Sequence, residues 1–136
     1  MFPDGGGRGY PRCIWYLCDS KQLSPTARLI ITTEEKNGES IFVSAISLVE
    51  VIYLAERARL PLTALQGLEN ALGDPMGSMV IAPLDAAVAK AVQKISRLTV
   101  PDMPDRIIAA TAVHLNADLV TRDRRLHAAL GNRSVS

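Results

Sequence analysis

Long apolar runs, aromatic side chains and an excess of charge of either sign are all scarce in this 136-residue sequence. Aromatic residues make up 4% of it and the formal net charge is +1, so bulk charge does not indicate a nucleic-acid-binding domain. The longest apolar stretch, residues 41–55, contains Glu50 and is too short to cross a bilayer. The first residues, MFPDGGGRGYPRC, contain no apolar stretch of signal-peptide length. We therefore expect a soluble, cytoplasmic protein with no membrane partner.

Cysteine and glycine motifs are equally sparse. The two cysteines, Cys13 and Cys18, have no second pair and no histidine cluster beside them, which excludes the usual zinc patterns and a disulfide framework. The glycines of GGGRG lack the spacing and the preceding strand of a phosphate-binding loop. Neither feature predicts a site.

The rest of the sequence has the composition of a globular α/β domain. It is 48% hydrophobic and 21% charged. We predict an irregular leader over residues 1–13, one domain over 14–131 and a short tail over 132–136. Short strands are predicted at SIFVS, MVIA and DLVT. Helices are predicted to begin at CIWYLC and to cover residues 25–36, 47–60, 62–72, 84–98 and 106–115, with a last one ending near Gly131. This alternation predicts an α/β sandwich with a parallel sheet.

Three acidic residues occupy positions where such a sheet binds ligands. Glu50 follows the strand SIFVS, Asp105 precedes the helix RIIAATAVHL, and Asp123 follows the strand DLVT. The carboxyl ends of parallel strands and the helix starts after them meet at one edge of the sheet. Clustered carboxylates repel one another unless protons or cations neutralise them. Mg²⁺ and Mn²⁺ prefer such all-oxygen sites, and ions held in this way suit phosphodiester hydrolysis.

Each acid also has a purely structural interpretation. Ser47 and Glu50 have the spacing of a capping box. Asp105 and Asp123 could each cap the helix that follows. Asp102 is expected in a loop, close enough to Asp105 to support it. Residue types alone leave these alternatives open.

The two histidines suggest no further site. His114 falls late in a predicted helix, where a solvated or capping histidine is common. His127 has no cysteine or serine at a spacing that would indicate a nucleophilic triad.

Three segments, taken in order and at their separations, resemble a known family: SIFVSAISLVEV, PDMPDRIIAATAVHL and DLVTRDRRL. With IWYLCDSKQLSPTARLII, they are similar to the PIN-domain family, and within it to the VapC-type toxins of bacterial toxin–antitoxin pairs. The likeness covers about residues 14–130. It implies a three-layer α/β/α sandwich with a parallel sheet and metal-dependent endoribonuclease activity.

The resemblance also assigns site residues. Glu50, Asp105 and Asp123 match three acidic positions of the family's metal site, which would hold Mg²⁺ or Mn²⁺. Thr121 matches a hydroxyl residue that accompanies the last acid. Implied partners are RNA, a cognate antitoxin that lies across the helices near the site, and a second copy in a homodimer. Four basic residues are candidates for guiding RNA: Arg106, Arg122, Arg124 and Arg125.

The N-terminus departs from the family pattern. Family members begin with an apolar strand that ends in an aspartate, and Gly9 stands where that aspartate is expected. The preceding MFPDGGGR cannot form a central strand, because it is rich in glycine and contains proline. Asp4 lies five residues too early. We therefore expect this strand to be absent or disordered, as an altered start or reading frame would explain.

Two functions are consistent with this departure, and a third is disfavoured. The first is an active ribonuclease that works with three acids. The second is a catalytically defective relic that binds an antitoxin without cutting RNA. A nucleotide-binding module of Rossmann type is disfavoured, because the sequence lacks its glycine fingerprint.

Overall fold

The computed structural model of the chain describes residues 24–121 and 123–135. The predictions for the leader, for the helix beginning at CIWYLC, for Gly9 and for Arg122 lie outside these residues. Six α-helices are described: α1 (Pro25–Lys36), α2 (Ala45–Glu56), α3 (Leu62–Gly73), α4 (Ala86–Ala91), α5 (Met103–Leu115) and α6 (Arg124–Leu130). Four strands are described: β1 (Ile41–Ser44), β2 (Met79–Ala82), β3 (Leu119–Val120) and β4 (Ser134–Val135).

The strands form two parallel pairs. β1 pairs with β2, with Ile41 opposite Met79, and β3 pairs with β4, with Leu119 opposite Ser134. Each pair is joined through helices, as parallel strands require. Within the described residues, β1 pairs only with β2 and β3 only with β4. The parallel α/β prediction is confirmed, with two short strand pairs as the described part of the sheet.

The core lies in two layers on opposite faces of these strands. Ile41, Val43 and Val120 belong to a cluster with residues of α1, α2 and α3, namely Ala27, Ile31, Val51 and Leu68. The alternate strand residues Phe42 and Leu119 belong to the second cluster, with α4, α5 and α6. Side chains on successive strand residues point to opposite faces. The fold is therefore a three-layer α/β/α sandwich.

Helix α1 begins and ends where the sequence predicts. The Ser24 hydroxyl accepts a hydrogen bond from the Ala27 amide at 3.0 Å, and Pro25 occupies the first turn, where its missing N–H costs nothing. At the other end, Gly38 has φ +73°. The Glu39 amide donates to the Glu34 carbonyl at 2.9 Å, which closes the helix in a Schellman motif.

Helix α2 ends earlier than predicted. Pro61 was expected to stop it, but its last residue is Glu56. Ala58 takes the left-handed conformation at φ 56°, and the Arg59 amide donates to the Leu54 carbonyl at 2.9 Å. This is the same Schellman motif with alanine in place of glycine. The chain then turns so that Leu60 is buried in the first cluster.

The helix predicted over residues 84–98 is also shorter. α4 spans Ala86–Ala91, and a 3₁₀ turn over Val92–Lys94 completes it. The Asp85 carboxylate caps its start by accepting from the Val88 amide at 2.9 Å. Leu84 and Leu98, both placed on the apolar stripe by periodicity, are 46% and 93% exposed, so the prediction was wrong at both ends.

The last residues were predicted as a tail, yet they include β4. The Thr121 amide donates to the Val135 carbonyl at 2.7 Å, beside the last predicted acid. The domain boundaries themselves stay a prediction. No helix in the described ranges is long and apolar enough to cross a membrane.

Candidate functional site

Glu50 lies in the second turn of α2, the helix that follows β1 directly. The capping-box interpretation was wrong, because Ser44 is the N-cap and Ser47 is already the third helical residue. Oε1 of Glu50 is buried. Burying a carboxylate oxygen is costly unless hydrogen bonds or a cation compensate it. The position therefore suits a carboxylate that takes part in a polar or ionic site.

Asp105 lies in the first turn of α5, which begins three residues earlier than predicted. The cap is Asp102: its Oδ1 accepts a hydrogen bond from the Asp105 amide at 3.0 Å. The interpretation of Asp105 as the N-cap was therefore wrong. An acid in the first helical turn still interacts favourably with the positive end of the helix dipole. Asp102 supports Asp105 by holding its backbone amide.

Asp123 is the N-cap of α6, as the structural interpretation proposed. Its Oδ1 accepts hydrogen bonds from the amides of Arg125 and Leu126 at 2.8 and 3.0 Å. The fully buried Thr121 accepts from the Asp123 amide at 3.0 Å through Oγ1. Thr121 thus fixes the backbone that presents the acid. Capping occupies one carboxylate oxygen and does not exclude a second role for the other.

All three acids lie one helical turn from members of the second hydrophobic cluster. Glu50 follows Ile46 by four residues on α2. Asp105 precedes the buried Ile108 on α5, and Asp123 precedes the buried Leu126 on α6. Ile108 and Leu126 belong to this cluster and Ile46 packs against it, so the three helices that carry the acids contact the same hydrophobic cluster. Helix α5 also packs against both α2 and α6.

The acids do not form a tight ligand cluster. Among residues 24–121 and 123–135, no three His, Cys, Asp or Glu side chains are grouped closely enough to hold one ion. Mutual repulsion opposes close approach of carboxylates, and a divalent cation offsets that repulsion. The donor chemistry fits Mg²⁺ or Mn²⁺, because the three side chains offer only oxygen ligands. The metal site therefore stays a prediction, with its residues on neighbouring helix starts.

The sequence analysis assigned no role in a site to two buried hydroxyl residues at this edge. Ser44 ends β1 and is 1% exposed, and Ser47 lies one turn before Glu50 and is fully buried. Buried hydroxyls in a well-packed fold require hydrogen-bonding partners. Two serines flanking the step from strand to helix were a possible signal for this polar patch.

The basic residues divide into two kinds. Arg124 and Arg125 are exposed in the first turn of α6, directly after Asp123, and so remain candidates for binding RNA. The Arg106 side chain instead points into the protein and donates to the carbonyls of Val92 and Ile95 at 3.0 and 2.9 Å. These contacts occupy the Arg106 guanidinium within the protein, and its RNA-guiding role stays a prediction.

Both histidines lie in helices, on α5 and α6. His114 is exposed in the last turn of α5. His127 does have a serine partner that spacing did not reveal, since its Nδ1 lies 2.5 Å from Ser134 Oγ. That hydroxyl also donates to the Gly131 carbonyl at 2.8 Å, so the contact joins β4 to α6.

The sequence of this chain is similar to known proteins. The family model described as PIN domain matches residues 13–131. Ribonuclease VapC22 of Mycobacterium tuberculosis (strain ATCC 25618 / H37Rv) is 34% identical over 115 residues, which is 82% of this chain and 82% of that protein.

Proposed function

Because this chain belongs to the PIN-domain family, as a VapC-type member, we propose that it is an endoribonuclease that depends on Mg²⁺ or Mn²⁺. The observation that carries the proposal is the placement of Glu50, Asp105 and Asp123 in the N-terminal halves of three helices that pack on one hydrophobic cluster. The similarity to a ribonuclease supports RNA as the substrate.

Each acid would contribute in a different way. Glu50 presents a carboxylate with a buried oxygen, where solvent competes least for an ion. Asp105 presents its carboxylate from a helix turn whose backbone Asp102 holds. Asp123 is fixed by Thr121 and by its capping bonds, both of which are accepted by Oδ1. When bound, a divalent cation would activate water toward the phosphodiester and stabilise the leaving oxygen.

Exposed arginines beside the site would hold the RNA backbone. Arg124 and Arg125 follow Asp123 directly and lie in solvent. Phosphate contacts of this kind position a nucleic acid without reading its sequence. They also offset the repulsion between an acidic site and an anionic substrate.

The proposed role in the cell is that of a cytoplasmic toxin held inactive by a cognate antitoxin, with a homodimer as the working form. An apolar patch supports a docking surface close to the acids. Val49 and Tyr53 share one face of α2, and they are 44% and 61% exposed. Exposed apolar patches of this kind mark protein–protein contacts. Val49 is the neighbour of Glu50 along the same helix, so a partner seated on this patch would contact the helix that carries one of the three acids.

The test is cleavage of a mixed RNA substrate in Mn²⁺ and in EDTA, with Asp105→Asn beside the natural chain. We expect cleavage that EDTA abolishes, and a loss of roughly 100-fold or more in Asp105→Asn, the scale on which removal of a catalytic group acts. Asp102→Asn is the matched control: asparagine caps helices as well as aspartate does, so its fold and stability should persist.

A second candidate, the defective relic, is favoured by one observation, the glycine at position 9. It predicts that the folded chain binds its antitoxin and cuts no RNA in either condition. Cleavage that survives Asp105→Asn unchanged would instead remove Asp105 from the site.

A further inference from the structure

The guanidinium of Arg106 makes three hydrogen bonds inside the protein. Nη2 donates to the Val92 carbonyl at 3.0 Å and to the Ile95 carbonyl at 2.9 Å, and Nε donates to the Ile95 carbonyl at 3.2 Å. These carbonyls lie in and just after the 3₁₀ turn that ends α4. The last carbonyls of a helix lack partners within it, and basic side chains satisfy them well. Arg106 thus caps α4 from another helix.

The same contact fixes the start of α5. The Asp102 carboxylate holds the Asp105 amide from the N-terminal side. Arg106, the next residue, ties the first turns of the helix to α4 and its 3₁₀ turn. Helices α4 and α5 also pack closely together. Asp105 is therefore flanked on both sides by residues that fix its backbone.

Helical geometry separates the two neighbouring side chains. Successive residues of an α-helix point about 100° apart around its axis. With the Arg106 guanidinium directed at the end of α4, the Asp105 side chain points in a different direction. Five N–H donors in a planar fork suit arginine to a contact with two carbonyls, which the single ammonium of lysine reproduces poorly.

We propose that Arg106 is a positioning residue for the metal site and not an RNA-binding residue. By anchoring the first turns of α5 on the end of α4, it holds the Asp105 carboxylate where a divalent cation binds. The inference rests on the proposed function, because it assumes that Asp105 is a ligand. A displacement of about 1 Å in a catalytic group can cost 100-fold in rate.

The test compares Arg106→Met and Arg106→Lys with the natural chain. Mn²⁺ affinity would be measured by electron paramagnetic resonance, and kcat and KM by RNA cleavage at several salt concentrations. We expect Arg106→Met to weaken Mn²⁺ binding and to lower kcat, each roughly 10- to 100-fold, as loss of residues supporting metal ligands does. KM for RNA and its salt dependence should stay unchanged. Arg106→Lys should recover little, although it keeps the charge.

The matched control is Arg97→Met, which removes an exposed arginine from the loop before α5 and should leave every parameter unchanged. A raised KM with a weaker salt dependence in Arg106→Met, rescued by lysine, would show a phosphate contact and overturn the proposal. Lower thermal stability with unchanged Mn²⁺ affinity and kcat would overturn it as well.

The results that would overturn the proposed ribonuclease function differ from those that would overturn the role of Arg106. If the natural chain binds Mn²⁺ without cutting RNA, the ribonuclease proposal fails, and the Mn²⁺ affinities of the variants still decide the role of Arg106. If the natural chain binds no Mn²⁺, both proposals are wrong.

Discussion

At the residue scale, Asp123 combines an observed capping role with a proposed role as a cation ligand. Asp123 caps α6 with Oδ1, which accepts from two amides. The backbone amide of Asp123 in turn donates to the Thr121 hydroxyl. A cap needs a hydrogen-bond acceptor, which asparagine also provides. A cation ligand benefits from full negative charge, which asparagine lacks. The two tasks can therefore be separated by substitution.

We expect Asp123→Asn to leave the free energy of unfolding within about 0.5 kcal/mol of the natural value, because asparagine preserves the cap. RNA cleavage should fall roughly 100-fold. Asp123→Ala should lose RNA cleavage to the same extent and should also lower the free energy of unfolding by about 1 kcal/mol, because alanine cannot cap the helix. Urea denaturation and cleavage in Mn²⁺ would measure these effects. Full activity in Asp123→Asn would leave this residue with its capping role alone.

At the element scale, helix boundaries with a local capping signal were more predictable than those set by distant contacts. Ser24 and Pro25 at the start of α1, and Asn37 and Gly38 at its end, are strong local signals, and the structure confirms them. The end of α4 depends on a guanidinium that lies 14 positions further along the chain. No local pattern can report such a contact. A prediction from hydrophobic periodicity alone therefore extended this helix to residue 98, beyond its observed end.

The end of α2 shows the same limit, because alanine occupies a conformation that usually takes glycine. Gly38 and Ala58 hold equivalent places in two Schellman motifs of the same chain, at φ +73° and 56°. A left-handed conformation costs an alanine roughly 1 kcal/mol more than a glycine. The sequence RARL gave no sign of a stop, and the apolar pattern continued to Leu60.

We therefore expect Ala58→Gly to stabilise the protein, because it removes about 1 kcal/mol of backbone strain. The net gain will be smaller than this, because glycine also raises the conformational entropy of the unfolded chain. Gly38→Ala is the reciprocal variant and should destabilise it by a similar amount. Ala89→Gly, at an exposed position within α4, controls for glycine as such and should cost about 0.5–1 kcal/mol. Thermal or urea unfolding would show all three. Destabilisation by Ala58→Gly equal to that by Ala89→Gly would contradict the assignment of strain to Ala58.

At the scale of the whole molecule, a cleft of about 500 Å³ lies between the two strand pairs. Residues of both pairs line it: Ile41 and Phe42 from β1, Val120 from β3 and Val135 from β4. Ile30 and Ile31 of α1 also line it. A strand running between β1 and β3 would unite the described pairs into one sheet. The family pattern expects an apolar strand and an acid in the region before α1, and Gly9 departs from it.

We predict that replacing residues 1–9 with an apolar strand that ends in aspartate at position 9 raises both stability and RNA cleavage. Each apolar side chain that such a strand buries would contribute roughly 1.5–3 kcal/mol. The added carboxylate would strengthen binding of a cation. The matched control carries the same strand ending in asparagine, which should gain stability without the full gain in activity. Equal cleavage by the natural and repaired chains would show that three acids suffice.

The pairing of β3 with β4 also sets an order of events during synthesis. The Thr121 amide is bonded to the Val135 carbonyl, and Thr121 in turn holds Asp123. Chains emerge from the ribosome with their earlier residues first. The backbone that supports Asp123 therefore cannot be completed until residue 135 has been made, whereas Glu50 and Asp105 are in place sooner. On the proposed function, the site would therefore lack firm support for its last acid until residue 135 has been added to the growing chain.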